Sequence, residues 1–364
     1  MNPTSQRIFI SDCEGPISKN DNAFELVTHF IPQGDRFFAL ISRYDDILAD
    51  IVRKPGYKAG DTLKLILPFL KAYGATNQGI TDCSSENMLL VPGAKHMLKS
   101  IRAIMPSFIV STSYEQYIRA LCSLIGFPYQ NAYCTQLDLD RYQLEEKERE
   151  QLEQLRKEIS TLPMLEIPEN TKSLRDFPTQ HQETVKRLDE IFWEEIDKMG
   201  ISRILKEVNP VGGYEKAEVV KNIAEKLVSK LSNMMYVGDS ITDISAFQHV
   251  RGGEGLAISF NGNAYAVREA EIAVLSENAV VTALLADVFN KLGKQGVFKL
   301  TKTWNHQAIE RFGVDSSLRE RIFKLYPRQL PRVETITPGN KDRLIKESSA
   351  FRKTVRGEAI GKLG

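Results

Sequence analysis

The sequence predicts an α/β fold built around a parallel sheet, and three observations lead there. Short apolar runs alternate with helical segments along most of the chain. Several of those runs end in turns punctuated by Gly or Pro. Acids, hydroxyls and one lysine cluster just beyond the runs, where an open parallel sheet binds its ligands. Strands that alternate with helices imply parallel pairing and right-handed crossovers, hence a doubly wound, Rossmann-like core.

The elements follow in order. Arg7–Ser11 is a short apolar strand that stops at Asp12-Cys13-Glu14-Gly15-Pro16. From Asn22 to Leu90 apolar residues recur at helical spacing, through Phe24, Leu26, Val27 and Phe30 and again through Leu63, Leu65, Ile66 and Phe69. Val91-Pro92-Gly93 closes that block. Ala94–Met105 reads as a helix, Ser107–Val110 as a buried strand ending in Ser111-Thr112-Ser113, Glu115–Leu124 as a helix and Asn131–Cys134 as a short strand. Arg141–Ile159 lacks Gly and Pro and is rich in Glu, Lys, Leu and Gln, which predicts a long exposed helix. Gln180–Met199 predicts a second one, so the two form a helical hairpin inserted into the core. Lys216–Leu231 reads as a helix after the Gly212-Gly213 loop. Met234–Val237 is a strand ending in Gly238-Asp239, with a helix around Asp243–Phe247, and Leu256–Phe260 and Ile272–Leu275 are further strands. Pro327–Asn340, with three prolines, reads as a loop. The resulting organisation is core at 1–17, 93–136 and 207–290, helical segments at 18–92 and 137–206, and a basic extension at 291–364.

Composition narrows the function classes. The formal charge of +1 gives no reason to expect a nucleic-acid or membrane partner. The balance is uneven, however: 138–198 holds 17 acids against 10 bases, and 291–364 holds 17 bases against 7 acids. Such runs fit solvated helix faces, or a docking surface on the basic extension. No apolar run reaches the ~18 residues needed to span a bilayer. The polar start, Met1–Gln6, does not read as a secretion signal. Cys13, Cys83, Cys122 and Cys134 form no CxxC pair, so free thiols and a cytoplasmic setting are expected.

Four polar signals stand at or near strand ends. Asp12 and Glu14 place two carboxylates at i and i+2, which suits one for attack on an electrophile and the other for general acid and base work. Ser111-Thr112 offers hydroxyl and N–H groups to an anion. Lys216 opens a helix after Gly212-Gly213, 23 residues before Asp239. Asp239 and Asp243 stand four apart, and with Asp12 they provide hard oxygen donors suited to Mg²⁺. Taken singly, each has a bland reading: a turn, a helix cap, a solvated lysine. Their order and spacing place all four at one sheet edge. The five histidines (His29, His96, His181, His249, His306) show no metal-ligand spacing.

Taken together these residues resemble the four motifs of the haloacid dehalogenase superfamily: Ile8–Ile17, Phe108–Ser113, Lys216 and Gly238–Asp243. The likeness extends to the phosphoserine-phosphatase branch, where a helical cap of the C1 type also lies between the first and second motifs; Gly255–Ala273, with Asn261 after Phe260, fits that branch. The resemblance implies that Asp12 attacks phosphorus and that Glu14 protonates the leaving oxygen, then activates water. It implies that Ser111 and Thr112 hold phosphoryl oxygens and that Lys216 neutralises charge. Asp12, the Glu14 backbone carbonyl, Asp239 and Asp243 would hold Mg²⁺. Two departures stand out. Glu14 replaces the usual Asp, and Thr242 replaces an Asn frequent in that branch. An acid at position 14 argues against dehalogenation, which needs no leaving-group protonation.

Three functional readings follow. The first is a Mg²⁺-dependent phosphatase acting on a small phosphorylated metabolite, with Phe24, His29, Arg36, Arg43 and Tyr44 as cap candidates for facing substrate. The second is a non-catalytic interaction subunit, for which a resemblance to archaeal proteins classed with an energy-converting hydrogenase is the support. The third is a phosphotransferase. The 137–206 insertion fits a homodimerisation arm, a second lid or a surface hairpin.

Overall fold

The computed structural model describes residues 6–168, 171–361 and 363; the polar start Met1–Ser5 lies outside them. Seven strands form one sheet: β1 (Ile8–Ser11), β2 (Ser107–Tyr114), β3 (Ala132–Thr135), β4 (Met234–Gly238), β5 (Leu256–Phe260), β6 (Ile272–Leu275) and β7 (Arg332–Thr335). Their order is β3-β2-β1-β4-β5-β6-β7. The first six run parallel, and β7 joins antiparallel to β6. β1, β4, β5 and β6 are buried throughout, as expected for parallel strands covered on both faces.

Alternate side chains feed two cores. Phe9, Ile109, Met235, Val237 and Ile258 point into one, against helices Ala94–Arg102, Glu115–Ile125 and Val280–Lys302. Ile8, Ile10, Phe108, Met234 and Tyr236 point into the other, against helices Tyr214–Lys226 and Ile244–Gly252. The sheet order puts β1 between β2 and β4. The ends of these three strands carry the polar signals read from the sequence.

A helical layer stands over those ends. It contains helices Asn22–Phe30, Gly34–Asp46, Leu67–Ala72 and Asn77–Glu86 from between β1 and β2. Helices Glu146–Thr161 and Thr179–Glu190, from between β3 and β4, join the same layer. Leu26, Phe37, Ile41 and Phe69 of the first group share one buried cluster with Leu152, Ile159, Leu188 and Phe192 of the second. The apolar stripe of the insertion is therefore used within the chain, on the first helical group. Its second helix is shorter than the 180–199 expectation because the backbone widens into a π turn at Ile191–Glu195. That turn places Phe192 against Tyr44 and Phe69, with ring centroids 5.9 and 6.1 Å away.

Two elements depart from the sequence reading. β2 continues to Tyr114, so Ser111–Ser113 lie inside the strand rather than beyond it. β7 occupies part of the predicted 327–340 loop. Pro331 and Pro338 flank it, and an edge strand tolerates such neighbours because only one side of it must pair. The basic extension is not a loose tail. Helix Lys341–Arg356 buries Leu344 against Val267, Ala273 and Leu275. Among the described residues no helix is long and apolar enough to cross a membrane.

Because the insertion completes the core of the helical layer, Phe192→Ala is expected to lower unfolding free energy by about 3–5 kcal/mol. Urea unfolding checks this; a change within the noise would mean that the insertion does not support the layer.

Candidate active site

Asp12 follows β1 directly, and its N–H donates to the Val237 carbonyl of β4 at 2.8 Å. This bond ties the residue to the neighbouring strand just before Gly238-Asp239. The next strand-to-helix turn is equally constrained. Asp243 Oδ2 accepts from the N–H groups of Asp239 (2.9 Å) and Ser240 (3.0 Å), and the Ser240 hydroxyl caps back in a reciprocal box. Two glycines permit the close packing. A Cβ on Gly238 would lie 2.4 Å from Asp243 Cγ, and one on Gly15 (φ +99°) would lie 2.3 Å from Asp239 Cγ. Any side chain at either position would push a carboxylate out of place.

Lys216 joins the two loops. It sits in the first turn of helix Tyr214–Lys226 and is fully buried. Its Nζ donates to Asp12 Oδ2 at 2.6 Å and to Asp243 Oδ1 at 2.7 Å. The Tyr236 hydroxyl also donates to Asp243 Oδ1, at 2.8 Å. Both oxygens of Asp243 are thus engaged by four protein donors, which makes it an orienting group for the loop. Carboxylate oxygens of Asp12, Asp239 and Asp243 all lie within 4.8 Å of one another. Lys216 bridges two of these acids, and all three present hard oxygen donors. That donor set fits a divalent cation such as Mg²⁺.

Burial pushes the Asp12 carboxyl up to about 7, with Lys216 pulling the other way and Asp243 and Asp239 adding to the rise. Glu14 is raised well above the ordinary carboxylate range, first by burial and then by Asp21. Its Oε1 accepts from the Asn22 N–H at 2.7 Å, and Asp21 Oδ1 accepts from the Phe24 N–H at 3.0 Å. Both acids therefore sit at the N-terminus of helix Asn22–Phe30, where its unpaired amides favour negative charge.

A cavity of about 100 Å³ separates the sheet from the helical layer. Asp12, Glu14, Asp239 and Thr112 line its floor, and Phe38, Ser42, Asp45, Asp46 and Thr62 line its roof. Thr112 Oγ1 is buried with no partner among the described residues. The Ser111 hydroxyl instead donates to Ser113 Oγ at 3.0 Å and is not part of the lining. Strand alternation explains the difference, since adjacent residues face opposite ways. The structure thus brings Asp12, Glu14, Thr112 and Asp239 to one cavity, with Lys216 and Asp243 directly behind.

The helical-layer candidates from the sequence do not line it. Arg36 donates to the Ser160 and Leu162 carbonyls, Arg43 pairs with Asp46, and the Tyr44 hydroxyl donates to Asp189. The face of helix Gly34–Asp46 that does reach the cavity runs through Phe38, Ser42 and Asp45–Asp46, the i, i+4, i+7/i+8 stripe. Helical phase could have identified that stripe. Asp45 accepts from the Tyr57 hydroxyl (2.6 Å) and the N–H groups of Gly60 and Thr62 (2.9 and 3.1 Å), and burial lifts it to about 7. Two further lining residues, Arg352 and Arg356, come from helix Lys341–Arg356, the long helix of the C-terminal region, and no local signal marked them.

Lys216→Met would leave Asp12 and Asp243 without their shared cation. In EDTA-treated protein the expected cost is about 3–5 kcal/mol at pH 8. The cost should shrink toward pH 5. A carboxyl raised from 3.8 to about 7 favours its neutral form in the fold, so its stabilisation is full below 3.8 and lost as pH rises through about 7. Removing Lys216 moves Asp12 further up. Denaturant unfolding at both pH values checks the sign; an equal loss at each would contradict it.

Residues 106–285 match the haloacid dehalogenase-like hydrolase family, a span that carries Thr112, Lys216, Asp239 and Asp243 and begins after Asp12 and Glu14. The gene product AF1437 from Archaeoglobus fulgidus has a similar structure, with 29% sequence identity, a TM-score of 0.81 and 99% of each chain covered. Helical layer, insertion and C-terminal helix thus fall within a span that the two chains share. A phosphoserine phosphatase in its apo form is 12% identical over 75% of this chain and 95% of its own, with a TM-score of 0.45. No curated protein matches in sequence. Residues 106–285 are thus of the haloacid dehalogenase-like hydrolase family, and the mostly parallel sheet with carboxylates and a lysine clustered at its strand ends accords with that assignment.

Proposed function

We propose that the protein is a Mg²⁺-dependent phosphomonoesterase that works through an aspartyl-phosphate on Asp12. The observation that carries this reading is the buried Asp12–Lys216–Asp243 bridge beside Asp239, opening onto a cavity that also holds Glu14 and Thr112. A carboxylate attacking a phosphate dianion meets like-charge repulsion, and preorganised positive charge offsets it. Lys216 provides one such charge and fixes the Asp12 carboxylate. Mg²⁺ held by Asp12 and Asp239, with the Glu14 carbonyl and with Asp243 orienting the loop, would supply Lewis-acid charge neutralisation.

A carboxylate oxygen of Asp12 forms a bond to phosphorus while the ester P–O bond breaks. The departing oxygen takes the proton of Glu14, whose burial shifts its carboxyl toward the protonated form. The Glu14 carboxylate then removes a proton from water, which attacks phosphorus and frees Asp12. The Thr112 hydroxyl has an unused donor facing the cavity and is placed to hold a phosphoryl oxygen. The helical layer acts as a cap that excludes water, and its roof residues select the leaving group. A cavity of about 100 Å³ suits a small substrate.

The test is hydrolysis of a panel of phosphate monoesters with Mg²⁺ and with chelator, beside Asp12→Asn. Turnover that needs Mg²⁺ and falls at least 10²–10³-fold in Asp12→Asn is expected. Equal, negligible rates in both proteins would refute the enzyme, and preferential transfer to added alcohol would make it a transferase. Glu14→Gln should cost about 10²–10⁴-fold on alkyl phosphates. It should cost much less on p-nitrophenyl phosphate, whose leaving group needs no proton. The wild-type alkyl-phosphate rate should fall as pH rises through the Glu14 pKa; an unchanged pH profile in Glu14→Gln would remove that residue from the acid role.

A further inference from the structure

The C-terminal helix Lys341–Arg356 delivers two guanidinium groups to the carboxylate cluster. Arg352 and Arg356 each donate from Nη1 to Asp239 Oδ2, Arg356 at 3.1 Å. Both arginine side chains are 4% exposed, and both line the cavity with Asp12, Glu14 and Thr112. Arg356 also donates to the Lys19 carbonyl at 3.0 Å and to the Asn20 carbonyl, on the stretch leading into the helical layer. The helix is anchored independently of these contacts. Ser348 donates to the Gly262 carbonyl at 2.6 Å, and Leu344 is fully buried. Arg352 Nε is buried with no partner among the described residues, although a guanidinium carries five donors.

Charge counting gives these contacts a consequence. Direct ion pairs link three carboxylates (Asp12, Asp239, Asp243) to three cations (Lys216, Arg352, Arg356). Glu14 and Asp21, which also line the cavity, accept from amides at a helix N-terminus; burial raises both carboxyls, and Arg356 acts against that rise without a direct ion pair. Without the arginines, the cluster would have two unbalanced negative charges, a match for one divalent cation. With them the directly paired groups already balance, so a divalent cation alone would leave two positive charges uncompensated among those groups. A phosphoryl dianion arriving with the cation restores balance.

We propose that Arg352 and Arg356 are counter-ion residues that make divalent-cation binding conditional on a phosphate group. The cation binds weakly to the resting site and tightly once a phosphoryl dianion is present. Arg352 Nε is a donor free to meet that dianion. This inference rests on the metal and phosphate reading of the site given above. Coupling of this kind is reciprocal, so the cation tightens phosphate by the same factor.

The experiment is calorimetric titration of Mn²⁺ into the full chain, with and without saturating inorganic phosphate, free of any turnover. Wild type is compared with the double variants Arg352→Met/Arg356→Met and Arg352→Lys/Arg356→Lys, and thermal melts confirm that each is folded. Phosphate should tighten Mn²⁺ on the order of tenfold or more in wild type. The methionine pair should bind Mn²⁺ more tightly than wild type without phosphate and lose most of the phosphate effect. The lysine pair, which keeps the charge, should behave as wild type. Equal phosphate effects in wild type and the methionine pair would overturn the inference while leaving the metal site intact. So would weaker Mn²⁺ binding by the methionine pair, which would make the arginines supports for Asp239. A lysine pair that behaves like the methionine pair would overturn the role of charge. No Mn²⁺ binding by any of the three proteins would overturn both this inference and the metal reading beneath it.

Discussion

A fully buried ammonium group bridging two carboxylates, Lys216 between Asp12 and Asp243, is the contact on which the other parts of the site depend. Removing three charges from water is costly, and mutual attraction compensates only if the geometry is good and the remaining lone pairs are filled. The surrounding structure meets that condition. Tyr236 and two backbone amides complete Asp243, and the Cys13 N–H donates to Asp12 Oδ1 at 2.6 Å. The bridge crosses from the end of β1 to the turn after β4, so it also fixes how those two loops sit. Gly15 and Gly238 are small because the carboxylates pass where a Cβ would be.

The helical layer and the C-terminal helix are best understood through what they add to this nucleus. The layer supplies the N-terminus of helix Asn22–Phe30 to Glu14 and Asp21, and a roof of Phe38, Ser42, Asp45 and Asp46. Its own core needs residues from both sides of β2 and β3 in sequence, which gives the insertion a structural use inside the chain. The C-terminal helix supplies positive charge to Asp239, the one member of the carboxylate cluster that Lys216 does not reach. Beyond that helix, Leu363 is buried in the core of the helical layer and lines the cavity, so the C-terminal segment spans from sheet to roof.

Much of the core was legible because parallel strands announce themselves as short apolar runs. Leu256–Phe260 and Ile272–Leu275 were read to the residue, and Met234–Gly238 to within one. The reading failed where an element is defined by its partner. Arg332–Thr335 is a strand because β6 offers it an open edge, and its flanking prolines pointed to a loop. It failed too within the insertion, where a uniform helical composition concealed a π turn imposed by packing Phe192 on Tyr44 and Phe69.

The sequence by itself determined the chemistry available: two carboxylates after the first strand, a hydroxyl pair after the second, a lysine after a glycine loop and two aspartates after the fourth. Those assignments are local, since a strand end, its turn residues and the polar groups they carry lie within a few positions of one another. Only the tertiary structure decided which of them meet and what else joins them. Strand order put β1 between β2 and β4, and the pleat chose Thr112 over Ser111 to line the cavity. Helical phase chose Phe38, Ser42 and Asp45 over Arg36, Arg43 and Tyr44. The docking of a helix more than a hundred residues away brought Arg352 and Arg356 onto Asp239. Such contacts arise from packing between distant segments, and no spacing within either segment encodes them.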